Sequence, residues 1–212
     1  MSISSSHDMG AAFGPARHQG QRPTCLAFAL SDLNQIFSKA PGYLSAEYLY
    51  RSAAAQTPAW VPDEGLYLDR AVQAVGAPGQ PDETALPYGL LEPTIPLNAL
   101  PNCAELYLAN FTIANMPADA VVAALKLGEP TGLVIKITQE FLDAPEGVIP
   151  FSPMVFPDKR HAVIATAVGV HDDTGEKYIR VRNSWGAAWG QAGYAWLHFG
   201  YVDTHTVSTF KA

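Results

Sequence analysis

Only two cysteines occur in the 212 residues, Cys25 and Cys103. That scarcity excludes a disulfide-dense scaffold. If Cys25 acts as a nucleophile, Cys103 has no partner, and a chain without a structural disulfide suits a reducing compartment. Long apolar runs are missing as well: none reaches the roughly 18 residues of a membrane-spanning helix. The Ser-rich stretch from Met1 to Gly20 lacks the apolar core of a secretory leader. A cytoplasmic protein is therefore expected, with delivery into another cell by a signal-less route as the alternative. Positive charge is scarce: 13 Lys and Arg stand against 20 Asp and Glu, a formal charge of −7. No basic cluster is present, which argues against nucleic acid or an anionic membrane as partner, since either needs a basic patch. Metal-ligand spacings, phosphate loops, internal repeats and low-complexity tracts are absent too, so neither metal nor cofactor is expected.

What is present is an ordinary globular composition, 48% hydrophobic, long enough to bury a core as one large domain or two small lobes. Residues 1–18 show no periodicity and read as loose. Leu26, Leu30, Leu33 and Phe37 recur at helical spacing, which predicts a helix from Cys25 to Ser38, capped by Thr24 and stopped at Ala40-Pro41-Gly42. Further helices are predicted from Ser45, acting as a cap, and from Leu66 to Val75. Pro78 to Pro101 reads as loop. A short helix follows over Ala118–Leu127, capped near Pro117-Ala118-Asp119. Strands are then predicted over Thr131–Ile137, His161–Val170, Lys177–Arg182 and Gly193–Phe199, with a hairpin turn at Asp172-Asp173-Thr174-Gly175. The chain thus divides into a segment 1–18, a helical part 19–104 and a β-rich part 105–212.

Three residues stand out chemically. Cys25 sits where a turn-forming stretch, Gln19-Gly20-Gln21-Arg22-Pro23-Thr24, runs into the first helix. A thiol in the first turn faces unpaired N–H groups and the positive end of the helix dipole, and both favour the thiolate. His161 opens an apolar strand and Asn183 closes the next one. A Cys with a His and an Asn about 130–150 residues downstream is the order of a thiol-protease triad. The hairpin between the two strands folds the 22 residues from His161 to Asn183 back to within a few positions across the ladder. Asn183 can then fix the imidazole, and Trp185 can cover that bond from water. The Gln19 amide and the Cys25 N–H can donate to an oxyanion. Taken singly, each of these residues has a structural explanation; the combination, in this order, does not.

In these residues the chain resembles the papain-like cysteine peptidases. Gln19-Gly20, Cys25 and Ala27-Phe28 are similar to the family's nucleophile segment, and His161-Ala162-Val163 with Gly169 to its histidine strand. Asn183-Ser184-Trp185-Gly186, Trp189-Gly190 and Gly193-Tyr194 are similar to its long asparagine signature. Leu44-Ser45, Glu64-Gly65, Phe141 and Gly147-Val148-Ile149 fall where the family has corresponding features, so the resemblance spans residues 19 to 200.

The resemblance implies an α+β fold of two lobes, a helical N-terminal lobe and an antiparallel β-barrel-like C-terminal lobe with the active-site cleft between them. It implies peptide-bond hydrolysis through a thioester, with Cys25 as nucleophile, His161 as acid and base, Asn183 as orienting residue and Gln19 as oxyanion donor. Gly65 would hold substrate backbone. Tyr67, Leu68, Leu133 or Val134, and Ala162 would line the main side-chain pocket, beside Trp185. The substrate would be a protein or peptide.

Departures from the family pattern also carry information. Arg22 and Pro23 replace a disulfide-forming Cys and a Gly, and Leu26 replaces a Trp. Lys159-Arg160 precede His161, and two cations there should disfavour the imidazolium. Only 18 residues precede Gln19, where secreted members carry a pro-region. The chain is then either a mature fragment or one made without its own inhibitor; the second is expected, with a separate inhibitor or activator protein as candidate restraint. Two other functions compete with endopeptidase action: deamidase- or transglutaminase-like acyl transfer on a partner's Gln by the same triad, and a non-catalytic binding module on the same fold.

Overall fold

The computed structural model describes residues 2–93, 97 and 100–212. The chain divides into two compact units, one comprising Met1–His18 with Ile113–Lys211 and the other Gln19–Thr112.

The second unit is helical. Helix α1 (Cys25–Ser38) has every residue from Leu26 to Asn34 buried. It ends at Lys39, whose left-handed φ of 58° turns its N–H back onto the Gln35 and Ile36 carbonyls. Thr24 does not cap it, because the Thr24 hydroxyl is engaged with the Tyr88 hydroxyl at 2.8 Å. Helix α2 (Ala46–Ala55) is capped as expected: Ser45 Oγ accepts from the Tyr48 N–H at 2.9 Å. Helix α3 (Leu68–Gly76) starts two residues later than the periodicity suggests, because Tyr67 is still extended, and it buries Ala71, Ala74 and Val75. A polar hub ties these helices to the loop. Gln80, fully buried, donates to Ser31 Oγ at 2.5 Å and to the Ser45 carbonyl, and accepts from Asn34 Nδ2 at 2.9 Å. The expected Pro78–Pro101 loop is irregular except for a 3₁₀ turn at Glu83–Ala85 and short bridges; residues 94–96 and 98–99 lie outside the described residues.

The first unit is built on one sheet. Its strands are β1 (Ile3–Ser6), β2 (Thr112–Ala114), β3 (Thr131–Thr138), β4 (Val148–Ile149), β5 (Val155–His171), β6 (Lys177–Arg182), β7 (Tyr194–His198) and β8 (Thr206–Lys211). Among the described residues the order is β2-β8-β3-β5-β6-β7-β4, with β1 also on β5. The path is open rather than closed into a barrel. Its end strands, of three and two residues, are too short to carry a closing ladder. Helices α4 (Ala118–Lys126), α5 (Gln139–Asp143) and α6 (Phe199–His205) cover one face. Val121, Leu125, Phe141, Tyr201 and Val202 pack there against Leu133, Ile135, Val163, Ile179 and Val181. The N-terminus of α4 is closed from α6, where Asp203 accepts the Ala118 N–H at 2.7 Å.

Sequence reasoning missed several elements of this unit. Helix α6 contains a Gly, a Val and a Thr among its seven residues. Packing rather than propensity makes it helical. His205 closes that helix as a buried residue whose Nε2 meets the Ser152 carbonyl at 2.7 Å. The β5 strand extends six residues before His161 through an exposed stretch with no alternation to read.

The segment 1–18 is not loose. Strand β1 pairs with β5 from Ile3↔His171 to Ser6↔Val168. Beyond it, the buried Arg182 guanidinium donates to the Gly14 and Pro15 carbonyls at 2.8 and 2.9 Å and to the Tyr194 hydroxyl at 2.9 Å. Partners so distant in sequence, on a mostly exposed strand, leave no periodic signal.

Candidate active site

His161 and Asn183 are brought together. Their ring Nε2 and side-chain Oδ1 are 2.6 Å apart, both residues being buried. Register explains how. From the turn, β5 and β6 pair regularly from Val170↔Lys177 to Ala167↔Arg180, then as Ala165↔Val181 and Ile164↔Arg182, so one residue, Thr166, is bulged out. Continuing that register sets Asn183 opposite Val163, on the same face as His161. Without the bulge Asn183 would stand opposite Ile164, and its side chain would point to the other face. The N-terminal arm braces the bulge, since the Met9 N–H donates to the Thr166 carbonyl at 2.8 Å.

The proton on the imidazole follows from donor accounting. The Ser184 backbone N–H donates to Asn183 Oδ1 at 2.7 Å. That atom must therefore be the amide oxygen, and the His161 contact must be Nε2–H donating to it. In the neutral ring, Nδ1 then carries the lone pair.

Burial dominates the electrostatics. It pushes the His161 pKa down to about 4, with the Asn183 hydrogen bond opposing. The desolvating walls are aromatic: Trp185 lies 4.5 Å from the imidazole, centroid to centroid, and Phe141 lies 5.8 Å away. The expected role of Lys159 and Arg160 is not found. The Arg160 guanidinium turns to the Pro157 and Lys159 carbonyls and the Lys159 ammonium lies over Phe156. Neither cation contributes to lowering the His161 pKa. An imidazolium here requires an anion beside it.

The asparagine signature has a mechanical reading. Gly186, Gly190 and Gly193 take φ of 75°, 57° and 86°. A Cβ on Gly190 would sit 2.2 Å from the Tyr194 carbonyl oxygen. The loop they permit returns the Gly193 carbonyl to the Asn183 N–H at 2.9 Å. It also sets Trp185 and Trp189 edge to face, 5.9 Å apart, against Phe141.

Gln19, Cys25, Gly65, Tyr67 and Leu68 lie in the helical unit, and Leu133, Val134 and Ala162 in the sheet unit. Cys25 is the first residue of α1, partly exposed, and the first turn carries no acidic residue. A thiolate there meets the positive end of the helix dipole, with no carboxylate in the same turn to oppose it. Gln19 is buried, and its Nε2 donates to the Arg22 carbonyl at 2.8 Å, which fixes the side chain. Gly65 takes φ +77°, and its carbonyl accepts from Trp60 Nε1 at 2.7 Å. Tyr67 is exposed and Leu68 half-buried. Of the two β3 candidates, Leu133 belongs to the core opposite Val163, whereas Val134 pairs with Ala162 on the other face. Cys103 is half-buried, with Sγ 3.5 Å from the Pro101 carbonyl, and no disulfide occurs among the described residues.

Sequence reasoning passed over Arg22 except as a departure. The structure makes it a buried ionic centre between Glu47 and Glu92. Arg182, beside Asn183, was missed as well.

The sequence profile of the papain family of cysteine proteases matches residues 5–209. The chain belongs to this family. Ananain and fruit bromelain, both from Ananas comosus, are each 25% identical to it over 180 and 185 residues, covering 84% and 86% of this chain and 50% and 51% of those proteins. The chain thus spans about half the length of these relatives. The fold is shared with xylellain, a cysteine protease from Xylella fastidiosa, at a TM-score of 0.74 and 18% identity, over 93% of this chain and 82% of that one. It is also shared with digestive procathepsin L 3 of Tenebrio molitor larval midgut, at a TM-score of 0.74 and 20% identity, over 97% and 68%.

Proposed function

We propose that this chain is a cysteine endopeptidase acting through Cys25, His161 and Asn183. The observation that carries the reading is the buried His161–Asn183 pair at 2.6 Å, with its tautomer fixed by the Ser184 N–H. It offers a lone pair at Nδ1, which is what a thiol's general base needs.

In this reading the Cys25 proton passes to His161 Nδ1, and the thiolate adds to the carbonyl carbon of a peptide bond. The oxyanion takes hydrogen bonds from the Cys25 N–H and the Gln19 amide. Gln19 Nε2 also donates to the Arg22 carbonyl at 2.8 Å. Collapse breaks the C–N bond; the amine leaves with the proton from Nδ1, and a thioester remains. Water then adds, giving a proton to Nδ1, and expulsion of the thiolate releases the acid. The Asn183 carbonyl holds the ring through both steps. Gly65, Leu68, Ala162 and Trp185 are the proposed substrate contacts, and a protein or peptide is the proposed substrate.

The test is intact mass after incubation with an epoxysuccinyl inhibitor of papain-type peptidases, on wild type and Cys25→Ala. One adduct, on wild type only, is expected; no adduct on either protein rejects the reading. A mass spectrum of an unfolded protein substrate then separates hydrolysis, seen as a cut chain, from acyl transfer on Gln, seen as a shift of about one dalton on an intact chain when water takes the acyl group.

A further inference from the structure

Three residues before Cys25, Arg22 is buried with 4% exposure, yet it carries a full charge among carboxylates. Its Nη1 donates to Glu47 of α2 at 2.5 Å and to the Gly89 carbonyl at 2.6 Å, and its Nε to Glu92 at 2.8 Å. The guanidinium lies over two rings, 5.1 Å from the Tyr50 centroid and 4.8 Å from that of Tyr88. Glu47 is also held by Arg51 at 2.6 Å, and Glu92 by the Tyr50 hydroxyl. Burial by itself would lower the Arg22 pKa, but the hydrogen bonds to Glu47 and Glu92 outweigh it and leave the value raised. Arg51 and Arg22 thus balance Glu47 and Glu92, so the cluster is neutral and internally satisfied, the condition under which buried charge persists.

The backbone beside this cluster leads to the reaction. The Arg22 carbonyl accepts from Gln19 Nε2 at 2.8 Å and from the Thr24 N–H at 2.8 Å. Tyr88, whose ring covers the guanidinium, donates its hydroxyl to the Gln19 carbonyl at 2.7 Å. That spends its one hydrogen, so the Thr24 hydroxyl donates to Tyr88 Oη at 2.8 Å. Both ends of the turn 19–24 are therefore tied to one side chain that also packs on Arg22.

We propose that Arg22, with Glu47, Glu92 and Tyr88, is a positioning cluster that holds the Gln19 amide and the start of α1 in register for oxyanion stabilisation. This rests on the catalytic reading above. The cluster touches no substrate. Its anchor is ionic and aromatic, at a position where the family resemblance sets a disulfide cysteine, so its hold survives reductant. A displacement of about 1 Å in an oxyanion donor costs on the order of 10–100-fold in turnover.

Two variants test this while keeping charge in balance. Tyr88→Phe removes the hydroxyl and keeps the ring. Arg22→Met with Glu92→Gln removes one charge of each sign and leaves the Arg51–Glu47 pair. For each, kcat and KM on a peptide amide are measured beside the rate of Cys25 alkylation by iodoacetamide, a reaction with no oxyanion. The expected result is kcat lowered about tenfold or more, with KM and the alkylation rate each within about twofold of wild type, with and without reductant. Unchanged kcat overturns the proposal. So does a parallel fall of kcat and alkylation, which would mean general disorder of the nucleophile turn. A wild type that is alkylated but hydrolyses nothing refutes the catalytic reading, and the inference with it; a wild type that hydrolyses, with variants that match it, refutes the inference alone.

Discussion

In a Cys25→Ala background, His161 should titrate far below an ordinary histidine. The perturbation removes the proposed anionic partner and leaves the imidazole with Asn183, Trp185 and Phe141. Burial then lowers its pKa from 6.5 to about 4, against the opposing Asn183 hydrogen bond. The sign follows from proton uptake. Above pH 6.5 the ring is neutral in both folded and unfolded states and contributes nothing pH-dependent. As pH falls from 6.5 to 4 the unfolded chain binds a proton that the folded one refuses, so stability is lost through that window. The full loss is about 3 kcal/mol, at roughly 1.4 kcal/mol for each pH unit that separates the folded and unfolded values. The assay is a ring-carbon NMR titration of Cys25→Ala, with denaturant unfolding at pH 7 and 4.5 for Cys25→Ala and Cys25→Ala/His161→Phe. The first protein should lose about 2–3 kcal/mol more than the second over that range. A midpoint near 6.5, or equal losses, would refute the desolvation argument. On the proposed pairing of Cys25 with His161, the wild-type midpoint should move upward, because a thiolate supplies the anion that the buried imidazolium lacks.

Asn183→Ala strands the His161 Nε2–H in an apolar wall. Stability should fall by about 1–3 kcal/mol by denaturant unfolding, and kcat about 10–100-fold as the ring loses its orientation; kcat within twofold of wild type would remove Asn183 from the mechanism. Arg182→Met keeps volume but releases the arm at Gly14 and Pro15, and with it the Tyr194 hydroxyl of β7. A loss of about 2–4 kcal/mol is expected, with faster hydrogen exchange at Met9, whose N–H braces the β5 bulge; unchanged exchange there would show that the arm docks without Arg182.

Several features were legible because they are local. The 3–4 spacing of Leu26, Leu30 and Leu33 fixes α1, and Ser45 fixes the start of α2, since a cap and an amphipathic stripe act within a few residues. The turn at 172–175 brings His161 and Asn183 near each other for the same reason. The glycines of the asparagine signature are required by left-handed backbone, which a sequence can display. Other features depend on residues far apart in the chain. The Thr24 cap gave way to a hydroxyl pair with Tyr88, 64 positions away. The docked arm and α6 carry no pattern of their own, and Arg22 read only as a departure because its carboxylates are 25 and 70 positions away.

The sequence by itself determined which groups are available: a thiol at a helix start, a histidine and an asparagine on one hairpin, an amide before the nucleophile. Tertiary structure decided their states. One bulged residue, Thr166, turned Asn183 to the face of His161, because strand side chains alternate and a single-residue slip inverts them. Burial against Trp185 and Phe141, rather than the neighbouring cations, set the imidazole's proton affinity, because desolvation depends on what surrounds a group in space.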